Sequence, residues 1–512
     1  MSSVPSYDDL AAWDDLNLLL PDADIDDPND PRRRQVSSFV CLRSATNLLD
    51  RDPREQPAEL TELDQSIADL EQQLASLKLR RAKLLDERAL IFRLPSELLS
   101  RVLEMGVDES FDLLPTLSLV CQHWRTVVLS TPSLWTYITL DSDWGWRIPS
   151  FLRRLRAHLQ RSQVSKLFID IDLRHVDSTG DIEAIMADLE PHLWRCYSFN
   201  VSVPDWFRMR KVQERSGGLG PALEELYLRI DSSDSDVQEP FPLLTNKCPR
   251  LGYIMLEHAP LECINVPLPA LRQLYLLRDQ RCHSSARIAY PFKELMTILT
   301  SSPLKWFTLR SAVFTLDISE ECFRAAPTPS ELPALKSLTF DIVDSGSISL
   351  FLESTLLPAL ELLSVNSGED LQWLTKISLS PKRFPALRLL DLRNCNFIGP
   401  ALVPLIRALH QLPQITGLGI SSPSTGIVGT RIFDILAADA ETLGEWLLPN
   451  LEALSIQNCG DISGHELLRV VSVRYASEQV KNIVYLKITQ CYPLDPDVLD
   501  HLSSLVGTVR TM

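Results

Sequence analysis

Several signatures of a catalytic, membrane or metal-binding protein are missing from this sequence. None of the phosphate-cradling, metal-binding or nucleophile-presenting frames GxxxxGK[ST], GxGxxG, HExxH and GxSxG occurs. The nine histidines include no i, i+4 pair, so a metal site has no local support. The ten cysteines (Cys41, Cys121, Cys196, Cys248, Cys263, Cys282, Cys322, Cys395, Cys459 and Cys491) are scattered, with no CxxC pair and no dense framework. They read as reduced thiols of a cytosolic or nuclear protein. No apolar run reaches the ~18–20 residues of a membrane span. The opening MSSVPSYDDLAAWDDLNLLLPDADIDD lacks the basic and apolar regions of a signal peptide. Positive charge is also short: 50 Lys plus Arg stand against 67 Asp plus Glu, a net charge of -17. Such a field repels phosphate backbones and anionic membranes, so neither nucleic acid nor membrane is an expected partner. What is present is ordinary for a globular protein, with 45% apolar and 23% charged residues. The 512 residues leave room for two or three domains.

Residues 1–57 hold Asp8, Asp9, Asp14, Asp15, Asp22, Asp24, Asp26, Asp27 and Asp30, with no Lys or Arg before Arg32. A segment of this composition buries too little apolar surface to offset its ordering entropy, and it reads as a mostly disordered acidic tail. From Leu60 the pattern changes. Leu60, Leu63, Ile67, Leu70, Leu74, Leu77, Arg81, Leu84, Arg88 and Ile91 alternate steps of three and four, which is a heptad seam over 58–93. Asp64 and Glu71 at e positions and Arg80 at g give it a solvated flank. Arg81 and Arg88 at a positions weaken its C-terminal end. Homodimerisation through residues 60–91 and packing against the chain's own next domain both fit this pattern.

Pro95 disfavours helix at Leu94, so the long helix is expected to stop near Arg93 and a new one to begin with Pro95 in its first turn. Leu98, Leu99, Val102 and Leu103 then recur at helical spacing, and Gly106 is placed to close that helix. A second helix is expected to open at Pro115 and to carry Leu117, Val120, Cys121, Trp124, Val127 and Val128 before Thr131-Pro132 ends it. The phrases LPSELLSRVLEM and LSLVCQHWRTVV resemble the two halves of the F-box, over about residues 92–137. With the preceding heptads and the following STPSLW, the chain looks like the F-box proteins expanded in basidiomycete fungi. The middle departs from that family, since GVDESFDLL and Pro115 replace a Leu- and Arg-rich turn. The resemblance implies a three-helix domain at 94–140 that binds a Skp-type adaptor and, through it, a cullin ubiquitin ligase. Carried over by position, Leu94, Pro95, Leu98, Leu99, Val102, Leu117, Val120, Cys121 and Trp124 would form or support the adaptor surface.

Beyond residue 220 one phrase recurs. PALEELYL at 221, PRLGYIML at 249, PALRQLYL at 269, PLKWFTL at 303, PALKSLTF at 333, PALELLSV at 358, PALRLLDL at 385, PQITGLGI at 413, PNLEALSI at 449 and NIVYLKI at 482 share an L-x-x-L-x-L frame, with starts 20 to 36 residues apart. Three continue to a cysteine, at Cys395, Cys459 and Cys491. This resembles an irregular leucine-rich repeat. A short alternating strand cannot bury its apolar side alone, whereas stacked parallel strands make a continuous core. Helical patterns such as Phe292, Leu295, Met296, Leu299 and Leu402, Leu405, Ile406, Leu409 fall between them, as βαβ connections require. The expected fold is therefore α/β: an N-terminal long helix, a three-helix F-box, and a solenoid over 150–512 with a parallel sheet on its concave face. VSKLFIDIDL at 164 and YSFNVSV at 197 fit as degenerate opening repeats, and the cysteines as small buried fillers.

Alternation turns the other strand positions toward solvent. These are Tyr227, Arg229, Tyr253, Glu257, Tyr275, Trp306, Arg310, Asp391, Arg393, Tyr485 and Lys487. Tyr, Trp and Arg are the side chains that anchor protein interfaces, which places a protein target over the aromatic half. Gly417, Gly419, Ala453 and Ser455 leave the later repeats bare. The resemblance implies a non-catalytic substrate receptor without cofactor, holding an unknown target protein. The alternative is a non-catalytic, heptad-dimerised scaffold with no part in ubiquitin transfer.

Overall fold

The structure, a computed structural model, describes residues 58–86, 91, 94–110, 113–141, 147–231, 242–264, 266–278, 288–315, 329–366, 371–395, 397–399, 402–422, 429–438, 445–491 and 494–511. The acidic tail, Arg88, Cys41, Cys282 and Cys322 lie outside them. The chain divides into two compact units, Met1–Tyr137 with Arg147–Ser165, and Ile138–Trp146 with Lys166–Met512.

In the first unit, helix α1 (Ala58–Asp86) carries the seam leucines. Its described part ends at Asp86, and most of the stretch to Arg93 lies outside the description. Helix α2 (Ser96–Glu109) starts one residue later than Pro95 suggests. Pro95 is its N-cap, with φ -53° and ψ 146°, and its carbonyl accepts from the N–H groups of Leu98 and Leu99 at 3.0 Å. A capping position suits proline, whose missing N–H costs nothing there. Gly106 does not end α2. The helix runs to Glu109, and Gly106 supplies the carbonyl that accepts from the Ser110 N–H. The expected single second helix is two, α3 (Leu113–Val120) and α4 (Gln122–Ser130). Cys121 between them is extended, with φ -163° and ψ 170°, and its thiol accepts from the Trp124 N–H at 3.4 Å as the cap of α4. Leu99, Leu103, Val107, Leu114, Val127, Val128, Leu134 and Trp135 form the core, with Leu117, Trp124 and Leu129 packed against it. The Trp135 indole N–H donates to the Val128 carbonyl at 2.9 Å.

In the second unit a parallel sheet follows chain order. Its strands are β1 (Tyr137–Leu140), β2 (Leu167–Asp172), β3 (Cys196–Val203), β4 (Glu225–Ile230), β5 (Tyr253–Glu257), β6 (Gln273–Leu277), β8 (Trp306–Arg310), β11 (Ser337–Asp341), β13 (Leu362–Asn366), β14 (Leu389–Arg393), β15 (Gly417–Ser421), β16 (Ala453–Gln457), β17 (Tyr485–Thr489) and β18 (Thr508–Thr511). Two small two-stranded sheets, β7 (Ile288–Pro291) with β9 (Ala312–Thr315) and β10 (Ser330–Glu331) with β12 (Thr355–Leu356), lie in the connections. The α/β solenoid expected from the repeats is what forms. All ten phrases are strands β4 to β17, and both degenerate phrases are strands β2 and β3. Leu226, Ile254, Leu274, Phe307, Leu338, Leu363, Leu390, Leu418, Leu454 and Leu486 align in register across the sheet, each 2% exposed or less. Burying one such side chain contributes roughly 1.5–3 kcal/mol.

A second regularity sits where the strands end. His258, Ser311, Ile342, Asn394, Asn458 and Gln490, each directly after a strand, have φ between 49° and 59°. The N–H groups of His258, Ser311, Ile342 and Asn458 still donate to the neighbouring strand, so the left-handed residue makes the last ladder bond and turns the chain out of the sheet. After it, the thiols of Cys395, Cys459 and Cys491 donate to the carbonyls of Arg393, Gln457 and Thr489 at 3.1–3.4 Å. Cys395 and Cys459 are buried and Cys491 partly so. They are therefore turn locks as well as fillers. Asn tolerates a left-handed backbone, whereas a β-branched residue adopts it, as Ile342 does, only at a cost. Asn394→Val is expected to lower stability by about 1–2 kcal/mol, and Asn394→Gly by less than half of that, in urea unfolding followed by circular dichroism.

Candidate functional site

Two surfaces stay open to solvent, one on each unit. On the first, α2 turns Leu99 and Leu103 inward and leaves Leu98, Val102 and Met105 55%, 53% and 62% exposed. Steps of four and three put these three on one helical stripe. Helix α3 adds Leu113, Leu119 and Val120, all exposed. Of the residues expected to build or support this surface, Leu98, Val102, Val120 and Pro95 are exposed and Leu94 is half-buried. Leu99 lies in the core, Leu117 and Trp124 pack on it, and Cys121 caps α4, so these four support the surface from behind. Met105, Leu113 and Leu119 were not expected there. A second apolar stripe on α2, beyond the one its core requires, was the available signal. His123, on α4 beside Trp124, is half-buried.

On the second unit, burial alternates along the strands and one face of the sheet stays open. All eleven expected positions are on it. Tyr253 of β5 stacks between Tyr227 of β4 and Tyr275 of β6, with ring centroids 4.7 Å and 5.3 Å away. Each such ring pair contributes about 0.5–1.5 kcal/mol beyond its burial. Burial raises the pKa of both the Tyr227 and the Tyr253 phenol, so these rings stay neutral. Trp306 is 37% exposed, with the Lys305 ammonium 6.0 Å from its ring centroid. Arg229 pairs with Asp231 at 2.8 Å and with Glu257 at 3.7 Å, and Arg310 with Asp341 at 2.5 Å. Arg393 pairs with Asp391 at 2.7 Å, and Asp391 also accepts from the Ser364 hydroxyl. Farther along, β15 is buried throughout although it carries Gly417 and Gly419. Leu389 and Asp391 lean over the two glycines, so that a Cβ at Gly417 would strike Leu389 Cδ2 and one at Gly419 would strike Asp391 Oδ1. A depression of about 190 Å³ follows, bordered by Asp391, Ser455, Tyr485 and Lys487.

A family model described as F-box-like matches residues 91–141. This stretch is an F-box-like domain. No curated protein matches the chain. Among solved structures, the chain is similar to the crystal structure of the Rad7 and Elc1 complex in yeast, with 12% identity over 87% of this chain and 96% of that one and a TM-score of 0.36. The exposed Leu98, Val102 and Val120 thus belong to the F-box-like domain, whereas the open face lies on the repeats. Among the described residues no helix is long and apolar enough to cross a membrane, and no group of three His, Cys, Asp or Glu is placed to hold a metal ion. Gly419→Val is expected to push Asp391 away from Arg393 and to cost about 1–3 kcal/mol in urea unfolding, whereas Ser455→Val, on the open floor beside it, costs under half as much.

Proposed function

We propose that this chain is the substrate-receptor subunit of a cullin ubiquitin ligase. Its F-box-like domain docks a Skp-type adaptor through Leu98, Val102 and Val120, joined by Met105 and Leu119, and its repeats hold a target protein on the open face. The observation that carries this reading is the apolar stripe of α2, left in water although the domain's core is complete without it. Exposed apolar clusters of this kind mark protein interfaces. In this role the chain supplies no reacting group. It raises the effective concentration of a target lysine beside the ligase's catalytic partner. Co-purification tests the first link. Wild-type protein is expected to recover a Skp-type adaptor, and Leu98→Asp with Val102→Asp to recover at least tenfold less while melting at an unchanged temperature. Equal recovery by the two proteins, or none by wild type, ends the reading.

One observation favours the second reading, a dimer through α1. Leu60, Leu63, Ile67, Leu70, Leu74, Leu77 and Leu84 are all more than half exposed. At 1.5 Å per residue the helix is about 44 Å long, enough for a two-stranded seam. Light scattering on the full chain at micromolar concentration decides this: twice the monomer mass is expected for wild type and the monomer mass for Ile67→Glu with Leu74→Glu. A wild-type monomer removes the dimer.

A further inference from the structure

Charge is unevenly spread over the open face. On β2 to β5 it carries the carboxylates Asp170, Asp172, Glu225 and Glu257 against one guanidinium, Arg229. Just past these strands, Arg174 pairs with Asp172 at 2.7 Å and with Asp231 at 3.4 Å, and Arg229 also pairs with Asp231, so this end holds five carboxylates against two guanidiniums. In the middle, Arg310 and Asp341 pair. On β14 to β18 the balance reverses, with Arg393, Lys487 and Arg510 against Asp391 alone. Asp391 is already committed to Arg393. Lys487 and Arg510 therefore stand opposite each other in register on adjacent strands, with no carboxylate partner among the described residues. Like charges so placed oppose strand pairing, and an anion laid across them removes that cost. At the other end, Asp170 accepts from the Asn200 amide at 2.8 Å and meets no cation among the described residues. Burial, and then Asp172, raises the Asp170 pKa. Glu225 likewise has no cationic partner among the described residues. The tyrosine stack lies beside these two carboxylates, and neutral aromatic rings edged by carboxylates suit a guanidinium or ammonium group.

We infer that the open face is a directional docking surface. It takes a protein segment whose basic side chains lie over the tyrosine stack beside Asp170 and Glu225, and whose acidic side chains lie over Lys487 and Arg510. This rests on the repeats being the target-holding part of the chain and deepens that reading by fixing the target's charge pattern and orientation. The 190 Å³ depression beside Lys487 gives an acidic side chain room to descend to the sheet. From β4 to β17 the sheet takes nine strand spacings, about 43 Å. An extended peptide covers that in about 13 residues. The basic and acidic groups of the target are therefore well separated along its chain.

Fluorescence anisotropy on the full chain tests this with three labelled peptides. One has four arginines, a twelve-residue Gly/Ser spacer and four glutamates. The second has the same composition with arginine and glutamate interleaved, and the third replaces the glutamates of the first with serine. The segregated peptide is expected to bind at least tenfold tighter than the interleaved one. Lys487→Glu with Arg510→Glu is expected to weaken the segregated peptide by about tenfold and the serine peptide by less than twofold. Asp170→Lys with Glu225→Lys is expected to weaken both. Equal affinity for the segregated and interleaved peptides overturns the orientation, and so does an equal loss for both peptides in the Lys487/Arg510 variant. Adaptor recovery by the same variants is read in parallel. Intact recovery together with absent charge selectivity disproves the directional surface and leaves the receptor reading standing.

Discussion

Every strand of this sheet has one apolar side and is too short to bury it alone. A five-residue strand such as Tyr253–Glu257 turns only Ile254 and Leu256 inward, and those two are covered because Leu226 and Leu228 lie in register on one side and Leu274 and Leu276 on the other. Stability in such a stack is a sum of neighbour interfaces. The inward positions are accordingly Leu, Ile, Phe and Val, with Cys196 at the start of β3, and each strand must end in a way that admits the next. The left-handed residue after the strand meets this second demand, at some cost where it is Ile342. The outward positions escape both demands, and they alone are free to carry tyrosines, ion pairs and unpartnered charge.

That division explains what could be read from the sequence. The phrases from PALEELYL to NIVYLKI were legible as strands because burial fixes their period at two. Strand β18 was not, since Thr508–Thr511 is a terminal strand with one neighbour and needs only Val509 on its inner side. The same strand holds Arg510, so half of the cation pair at the basic end went unseen with it. The break at Cys121 was hidden differently. Leu117 to Val128 keeps an unbroken apolar spacing, and the two helices are separated by the extended backbone of Cys121, whose thiol accepts from the Trp124 N–H. Arg474 shows the limit most plainly. In the helix His465–Tyr475 it is fully buried, with its guanidinium donating to the carbonyls of Leu447 and Leu448. Burial lowers its pKa to about 10. The carbonyls it serves lie 26 and 27 residues away in sequence, so no local pattern could announce the need.

The candidate site was legible in membership more than in mechanism. Each of the eleven outward positions is where alternation puts it, because a pleated strand allows nothing else. Their pairing depends on neighbours that the alternation does not rank. Arg229, Arg310 and Arg393 look alike as interface anchors in sequence, but all three are bound to carboxylates on their own or an adjacent strand. Exposed pairs of this kind contribute about 0–1 kcal/mol. They hold the arginines in place more than they stabilise the fold. The glycines of β15 also take on a different meaning. In sequence they leave that strand without an outward side chain, whereas in the structure they give Leu389 and Asp391 space to fold over it.

In the proposed role the two surfaces divide the labour by their chemistry. Leu98, Val102, Met105, Leu119 and Val120 offer apolar area, whose burial is nearly indifferent to salt and yields a lasting contact. The open face offers Lys487, Arg510, Asp170 and Glu225, whose attraction reaches about 8 Å at physiological ionic strength and acts mainly on encounter and register. A receptor that keeps its adaptor while exchanging targets needs this asymmetry. The fold allows it because the apolar side chains of the F-box-like stripe and the charged side chains of the repeats both occupy positions that neither core requires.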